Sequence, residues 1–301
     1  MKASRLNEHV SIAELLRAAC PAVSIEFFPP KTEEGARQIF RTAQALRPRG
    51  VAFASITYGA GGSTRERTFD YGELLQNLFG FRVLPHLTCV GHSRDDLARI
   101  LDSFLGAGFP GVMALRGDPP KGERDFKPAP NGFSHASELV ALARERQRAC
   151  GVADFSVSVA GYPEKHPDAP DVGTDARHMA AKVAAGADFV TTQMFFDNEH
   201  YFSFVRRCRA MGVNVPILPG ILPVLSLEHA RKFATFGTSL PKELEERLSR
   251  HVGNPEAAQA EGVEWAFRQV RGLLDAGAPG FHLYILNRSE SAIALLDRLV
   301  G

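Results

Sequence analysis

The chain has 301 residues, of which 45% are hydrophobic and 23% charged, and its formal net charge is +1. A charge this close to zero gives no argument for binding nucleic acid or an anionic membrane surface. No window approaches about 18 consecutive apolar residues, which excludes a transmembrane helix. The N-terminus lacks an apolar signal core, and the four cysteines are scattered without a CxxC pair, as is typical of a cytoplasmic protein with reduced thiols.

Eight short runs rich in β-branched and aromatic residues recur along the chain, each followed by a turn or loop signal. Several are almost continuously apolar, which is typical of parallel strands covered on both faces. Stretches with helical spacing lie between them, such as Asp95 to Leu105 and Glu138 to Arg148, and Ser93 is a candidate N-cap. The predicted strands begin at Val23, Val51, Arg82, Gly111, Phe155, Phe189, Val215 and Phe281.

Eight βα repeats without a linker predict an α/β protein, a (β/α)8 TIM barrel with a single domain over residues 1–301. We expect a short N-terminal helix at about 11–19 and extra helices between strands seven and eight at about 241–276, where the spacing between runs is longest. An open doubly wound sheet is the alternative architecture for the same pattern.

Functional residues of such barrels lie at the carboxyl ends of the strands. The first strand, VSIEFFPPK, carries Glu26 among apolar residues and stops at two prolines. A buried carboxylate must be paired or must shift its pKa. One interpretation is a structural ion pair with an arginine such as Arg116 or Arg288. The other is a general acid whose pKa is raised by its apolar surroundings.

Two further strand ends suggest ligand binding. The turn ITYGAGGSTRERT has Gly59 and Gly61, but Thr64 replaces the third glycine of a dinucleotide fingerprint. In LRGDPP, Arg116 and Asp118 form either a structural ion pair or part of a cofactor site, where arginine would meet phosphate or a ring carbonyl.

Three other strand ends leave the function open. HLTCVGH places His86, Cys89 and His92 three residues apart, but we predict no metal site because neighbouring strand residues point to opposite faces. Gln193 in TTQMFFD is suited to reading the edge of a heterocycle, or else is a core amide bonded to backbone. The loop AGYPEKHPDAP carries Tyr162 and His166 and has no function that its composition reveals.

Eight motifs in order resemble the methylenetetrahydrofolate reductase family, from about Val23 to Glu290. Each is weak alone, but eight in register are specific. They are VSIEFFPPK, ITYGAGGSTRERT, PHLTC, ALRGD, YPEKHP, GADFVTTQMFFD, PILPGILPV and LYILNRSE.

The resemblance implies an FAD-dependent barrel enzyme with a ping-pong reaction. NADH or NADPH would reduce FAD, and 5,10-methylenetetrahydrofolate would then take its place and be reduced to 5-methyltetrahydrofolate, in either direction in the cell. By the resemblance, Glu26 is the acid that protonates N10 of the folate, and Asp118 stabilises the resulting 5-iminium cation. Gln193 would contact both the pterin and the nicotinamide.

The resemblance also implies site residues, a homo-oligomer and no nucleic-acid or membrane partner. Folate contacts would be Asp118, Gln193, His229, Phe233 and Arg288. FAD contacts would be Thr57, Tyr58, Ala60, His86, Arg116, Gly117, Asp118, Ala136, Tyr162, His166, Ala169, Asp175 and Lys182.

The sequence departs from the family pattern at a few positions. His229 replaces a glutamine common in bacterial relatives, and His178 and Ala181 replace polar residues near the expected FAD site. The pattern covers the catalytic barrel only, so inhibition by S-adenosylmethionine is not expected. Two other classes remain as alternatives: a different flavin or pterin barrel, such as a folate-linked methyltransferase domain, and a non-catalytic barrel that binds folate or supports a partner.

Overall fold

A computed structural model describes residues 10–18, 21–59, 65–119, 122 and 126–300. Eight parallel strands form a closed barrel in chain order, and β8 pairs with β1. This closure confirms the predicted (β/α)8 barrel, and the open doubly wound alternative is wrong because the last strand pairs with the first and the sheet has no edge strand. The strands are β1 (Ala22–Phe27), β2 (Val51–Ile56), β3 (Val83–Thr88), β4 (Gly111–Leu115), β5 (Ser156–Gly161), β6 (Phe189–Met194), β7 (Ile217–Ile221) and β8 (Gly280–Tyr284).

Helices follow the strands and cover the barrel. Ser93 caps α4 by accepting a hydrogen bond from the backbone of Asp96, as its position before two acidic residues predicts. The helices are α1 (Ile12–Leu15), α2 (Glu33–Leu46), α3 (Arg65–Phe79), α4 (Arg94–Gly106), α5 (Ala136–Ala149), α6 (Val172–Ala184), α7 (Asn198–Ala210), α8 (Leu227–Ala234), α9 (Lys242–Ser249), α10 (Pro255–Asp275) and α11 (Glu290–Val300), with a 3₁₀ turn at Arg47–Arg49.

The N-terminal helix is shorter than the expected span of about 11–19. It ends at Leu15, and the chain continues in a tighter turn in which Arg17 N–H donates to the Glu14 carbonyl at 3.0 Å. Between β7 and β8 the chain forms three helices, α8, α9 and α10. No helix in the described ranges is long and apolar enough to cross a bilayer.

Apolar residues fill the end of the barrel at which the strands begin. Ile12 and Leu16 pack with Phe53 and Phe189, which lie at or near the amino ends of their strands. The rings of Phe53 and Phe189 meet edge to face with centroids 5.8 Å apart. Because this end is filled by side chains, ligands have to enter at the carboxyl ends of the strands.

Candidate active site

Glu26 lies near the carboxyl end of β1 and is only 6% exposed. Its Oε2 atom is 3.4 Å from Nε2 of His86 and 3.8 Å from Nε2 of His282, and the Ser55 hydroxyl donates to it at 3.4 Å. The interpretation that pairs Glu26 with an arginine is wrong: its partners are imidazoles and a hydroxyl. We call Glu26, His86, His282 and Ser55 the Glu26 cluster.

The two imidazoles of the Glu26 cluster face the carboxylate. Nδ1 of His282 hydrogen-bonds the hydroxyl of Ser24 at 2.8 Å, which fixes the ring. The Nε2 atoms of His86 and His282 are buried, and neither makes a hydrogen bond in the described part of the chain. Both atoms face the Glu26 carboxylate at 3.4 and 3.8 Å. A buried imidazole facing a carboxylate is a favourable arrangement for sharing a proton.

The electrostatics of the cluster differ from the sequence-based expectation. Burial raises the pKa of Glu26, but contacts with His282, His86 and Ser55 lower this pKa by more, so the net shift is downward. Burial lowers the pKa of His86, and Glu26 offsets part of that shift. The predicted raised pKa of Glu26 is therefore wrong for the barrel without ligands, because the apolar pattern of β1 does not reveal the imidazoles. The proton belongs to a coupled group of side chains.

His282 and Ser24 were missed by the sequence analysis. Their signal was a polar residue inside an apolar strand, the same signal that singled out Glu26. The register of β1 and β8 places Ser24 beside His282 and Glu26 beside Tyr284. Only closure of the barrel creates these neighbours, so sequence spacing could not pair them.

A cavity of about 300 Å³ opens beside the ends of β4, β5 and α6. Two groups of the expected FAD contacts line this cavity. The first group follows β4. Gly117 has φ +87°, and a Cβ there would lie 2.6 Å from Cγ1 of Val90, so glycine is required for the chain to turn here. The β4 group is Arg116, Gly117, Asp118 and, at the start of α5, Ala136.

The second group of expected FAD contacts follows β5 and continues onto α6. His178 and Ala181, where the sequence departs from the family pattern, line the cavity as well. The ring of Tyr162 meets that of His166 edge to face with centroids 4.4 Å apart, and burial raises the pKa of Tyr162 to about 12. This group consists of Tyr162, His166, Ala169, Asp175 and Lys182.

Two cations dominate the cavity. Arg116 forms an ion pair with Asp168 at 2.6 Å and lies over the ring of Phe126, with its guanidinium carbon 5.0 Å from the centroid. The Lys182 ammonium donates to the Ala160 carbonyl at 2.9 Å, and burial lowers its pKa to about 8. A partly buried ammonium bonded to a neutral carbonyl is suited to an anionic ligand group.

Of the remaining expected FAD contacts, those that the structure describes lie outside the cavity lining. Tyr58 is buried, and its hydroxyl hydrogen-bonds Nε2 of His92 at 3.0 Å. Thr57 N–H donates to the Phe27 carbonyl, and the Thr57 carbonyl accepts from Thr68. His86 belongs to the Glu26 cluster, and Ala60 falls outside the described residues.

The expected folate contacts lie around β6, α8 and the end of β8. Oε1 of Gln193 accepts from the backbone N–H of Met194 at 3.0 Å. Nδ1 of His229 accepts from Leu225 N–H at 3.3 Å, and its ring lies 4.7 Å from that of Phe233. Burial, together with Lys232 and Arg288, lowers the pKa of His229. Asp118, which is also an expected folate contact, lines the cavity described above.

The three residues of HLTCVGH do not converge. His86 faces Glu26, the Cys89 thiol donates to the Leu115 carbonyl at 3.4 Å, and His92 bonds Tyr58. Within the described ranges no group of three or more metal-ligating side chains is arranged to hold a metal ion.

One further residue adjoins the Glu26 cluster. Tyr284 on β8 is partly buried, and desolvation raises its pKa well above the usual value, with further contributions from Glu26 and Tyr162. Its hydroxyl donates to the Thr192 carbonyl at 2.7 Å, beside Gln193. Tyr284 therefore lies against the Glu26 cluster, opposite Glu26 in the strand pairing and with its ring centroid 5.0 Å from that of His282.

Comparison with known proteins identifies the family. Residues 11–300 match the family model for methylenetetrahydrofolate reductase. The chain is 37% identical over 278 residues to 5,10-methylenetetrahydrofolate reductase of Escherichia coli, covering 92% of this chain and 90% of that protein. It is 37% identical over 288 residues to methylenetetrahydrofolate reductase (NADH) 1 of Arabidopsis thaliana, covering 92% of this chain. The chain spans 48% of the length of that plant relative.

A solved structure agrees with the architecture. An uncharacterized protein from Clostridium thermocellum, described as binding two copies of 5-methyl-5,6,7,8-tetrahydrofolic acid, superimposes with a TM-score of 0.62 and covers 96% of this chain and 99% of its own. At 15% identity this likeness shows the fold alone. The family match over residues 11–300 and the 37% identity to the bacterial relative show that the chain belongs to the methylenetetrahydrofolate reductase family.

Proposed function

We propose that the chain is an FAD-dependent 5,10-methylenetetrahydrofolate reductase that takes hydride from NADH or NADPH. The observation that carries the proposal is the buried Glu26 cluster near the carboxyl end of β1, the same end of the barrel at which the cation-bearing cavity opens. A proton donor at the end of the barrel where ligands bind is what ring opening of the folate requires.

The residues of the cavity fit FAD. Lys182 and Arg116 would hold its diphosphate, because they are the cations that line the cavity and Lys182 is desolvated. Tyr162 and His166 offer polar edges beside them. When bound, FAD supplies the acceptor for hydride from the pyridine nucleotide and the donor of hydride to the folate.

The protein side chains divide the remaining work. The Glu26 cluster would deliver a proton to N10 of the folate from a buried site, since Oε2 of Glu26 lies 3.4 and 3.8 Å from the Nε2 atoms of His86 and His282 and a proton can pass within such a group. Asp118 is exposed at the cavity, where its carboxylate would stabilise the cationic folate. Gln193 already uses its Oε1 on Met194 N–H, so its NH₂ group is the end offered to the pterin or the nicotinamide.

Arg288 and His229 complete the proposed folate site. Arg288 is exposed after β8, where its guanidinium suits a carboxylate of the glutamate tail. His229 accepts from Leu225 N–H through Nδ1, so the neutral ring carries its proton on Nε2 and is a donor there. The glutamine that His229 replaces could donate and accept.

The first test is the visible absorption spectrum of the purified protein under anaerobic conditions, before and after 5-methyltetrahydrofolate is added. We expect oxidised-flavin bands that bleach on addition. Bands that do not bleach would indicate a flavoprotein with another substrate. A protein that stays colourless after FAD is supplied would contradict the proposal. The names of the plant relatives favour NADH as donor, and rates with NADH and NADPH measured side by side would decide between them.

The ion pair between Arg116 and Asp168 is expected to weaken FAD binding. Three carboxylates, Asp118, Asp168 and Asp175, line the cavity with the two cations, and Asp168 is paired with Arg116. Because Asp168 competes for Arg116, we expect Asp168→Asn to bind FAD about two- to fivefold more tightly. An exposed ion pair is worth less than about 1 kcal/mol, which sets this limit.

Titration of the apoprotein with FAD, followed by flavin fluorescence, measures the effect of Asp168→Asn. Asp171→Asn is unsuitable as its control because Asp171 caps α6. Asp297→Asn, on the outer helix α11, is the matched control and should leave the affinity unchanged. Weaker binding by Asp168→Asn would mean that the carboxylate positions Arg116 for the cofactor.

A further inference from the structure

The segment that follows β8 has an unusual backbone. Leu286 and Asn287 have φ values of 50° and 58°, so two consecutive residues other than glycine adopt the left-handed conformation. This conformation is unfavourable for leucine and tolerated by asparagine, and such residues concentrate at functional sites. Asn131 is the other non-glycine residue with a positive φ among the described residues. The structure around residues 286 and 287 must therefore hold them in place.

The side chain of Asn287 provides that hold. Its Oδ1 accepts from Phe28 N–H at 2.8 Å, and its Nδ2 donates to the Phe28 carbonyl at 2.8 Å. The regular pairing of β1 with β8 ends with Glu26 opposite Tyr284. The carboxamide of Asn287 thus continues the connection between the two chain segments beyond the last strand pair, as a neighbouring strand would.

The backbone of Asn287 is anchored as well. Its carbonyl accepts from the Thr42 hydroxyl at 2.8 Å and from Nε2 of Gln38 at 3.3 Å, both on α2. Arg288 N–H donates to the Ile285 carbonyl at 2.8 Å, which closes the turn. Residue 287 is therefore bonded to β1 and α2 together, immediately before Arg288.

We propose that Asn287 is a positioning residue: its bonds to Phe28 fix the left-handed turn after β8 against the end of β1, and so set Arg288 relative to Glu26. Phe28 is two residues after Glu26, and Arg288 is one residue after Asn287. The inference rests on the proposed function, in which Glu26 donates the proton and Arg288 binds the folate. Loss of the carboxamide should misalign the folate and leave the pyridine-nucleotide reaction intact.

The principal test compares both half-reactions in Asn287→Gly and in the parent. Glycine accepts the left-handed backbone but removes the carboxamide. We expect kcat/KM for the folate to fall about 10- to 100-fold, since a small misplacement has effects of this size. Flavin reduction by pyridine nucleotide should stay within about twofold. Asn131→Gly makes the same change at an exposed left-handed position and should alter neither reaction.

Asn287→Asp gives a second signature that a merely structural role would not produce. A carboxylate keeps the acceptor for Phe28 N–H but places negative charge against the Phe28 carbonyl. Protonation of the introduced carboxyl restores a donor, so the folate activity of this variant relative to the parent should recover as the pH is lowered. This comparison remains available if Asn287→Gly does not fold.

The outcomes separate the inference from the proposed function. A parent protein that does not reduce the folate would refute the proposed function. A parent that reduces it, with Asn287→Gly equally active, would overturn the positioning role. Equal losses in both half-reactions, or an Asn287→Asp ratio that does not change with pH, would also overturn that role, because they would indicate a general structural defect.

Discussion

Glu26→Gln is expected to slow the folate half-reaction severely while flavin reduction by pyridine nucleotide continues. Glutamine has nearly the same shape but cannot donate the proton of an acid or replace the carboxylate that His86 and His282 face, their Nε2 atoms being 3.4 and 3.8 Å from Oε2. General acid catalysis contributes about 10²- to 10⁴-fold, so we expect a loss of that size in the rate of flavin oxidation by the folate. Stopped-flow absorbance measures each half-reaction separately.

The pH dependence of the folate half-reaction tests the same assignment. In the parent, the rate should fall as the pH rises, because the Glu26 cluster loses the proton that it must donate. In Glu26→Gln the remaining rate should depend less on pH. Glu246→Gln, on the exposed face of α9, is the control and should match the parent. If Glu26→Gln slowed both half-reactions equally, the proton-donor role would be refuted and a structural role favoured.

The fold was predictable because its signal is local. Each observed strand begins within two residues of its predicted start. A strand covered on both faces is mostly apolar, and β3 is buried at all six positions although it carries His86 and Thr88. The short helix α1 was less predictable, since its length depends on how Ile12 and Leu16 fit the end of the barrel.

The candidate site was predictable only in part. Residues on one strand end, such as Arg116, Gly117 and Asp118, are close in sequence and line one cavity. Pairings across the barrel were not predictable: Asp168, the partner of Arg116, is 52 residues away, and His282 is brought to Glu26 by closure of β8 on β1. The pKa of Glu26 depends on these distant partners, which explains why the expected direction of its shift was wrong.

Lys182→Met is expected to weaken FAD binding about 100-fold. The substitution keeps an unbranched side chain but removes the partly buried ammonium, which would otherwise form a charge-assisted contact with the diphosphate. Lys182 lies in the cavity, where burial lowers its pKa to about 8 and the carboxylate of Asp175 offsets part of that shift. Titration of the apoprotein with FAD measures the loss. Lys242→Met, which removes an exposed lysine of α9, is the control and should bind FAD as the parent does.

The pH dependence of FAD affinity distinguishes this role from a packing role. An anionic diphosphate beside Lys182 would raise the pKa of the Lys182 ammonium above about 8. Above that pH, FAD binding therefore requires Lys182 to take up a proton. The affinity of the parent should be level just below pH 8 and fall above it, by up to about tenfold per pH unit. Other cavity groups titrate elsewhere: burial raises the pKa of Tyr162 to about 12 and lowers that of His166. Lys182→Met should show no such fall, and an equal decline in both proteins would mean that another group binds the anion.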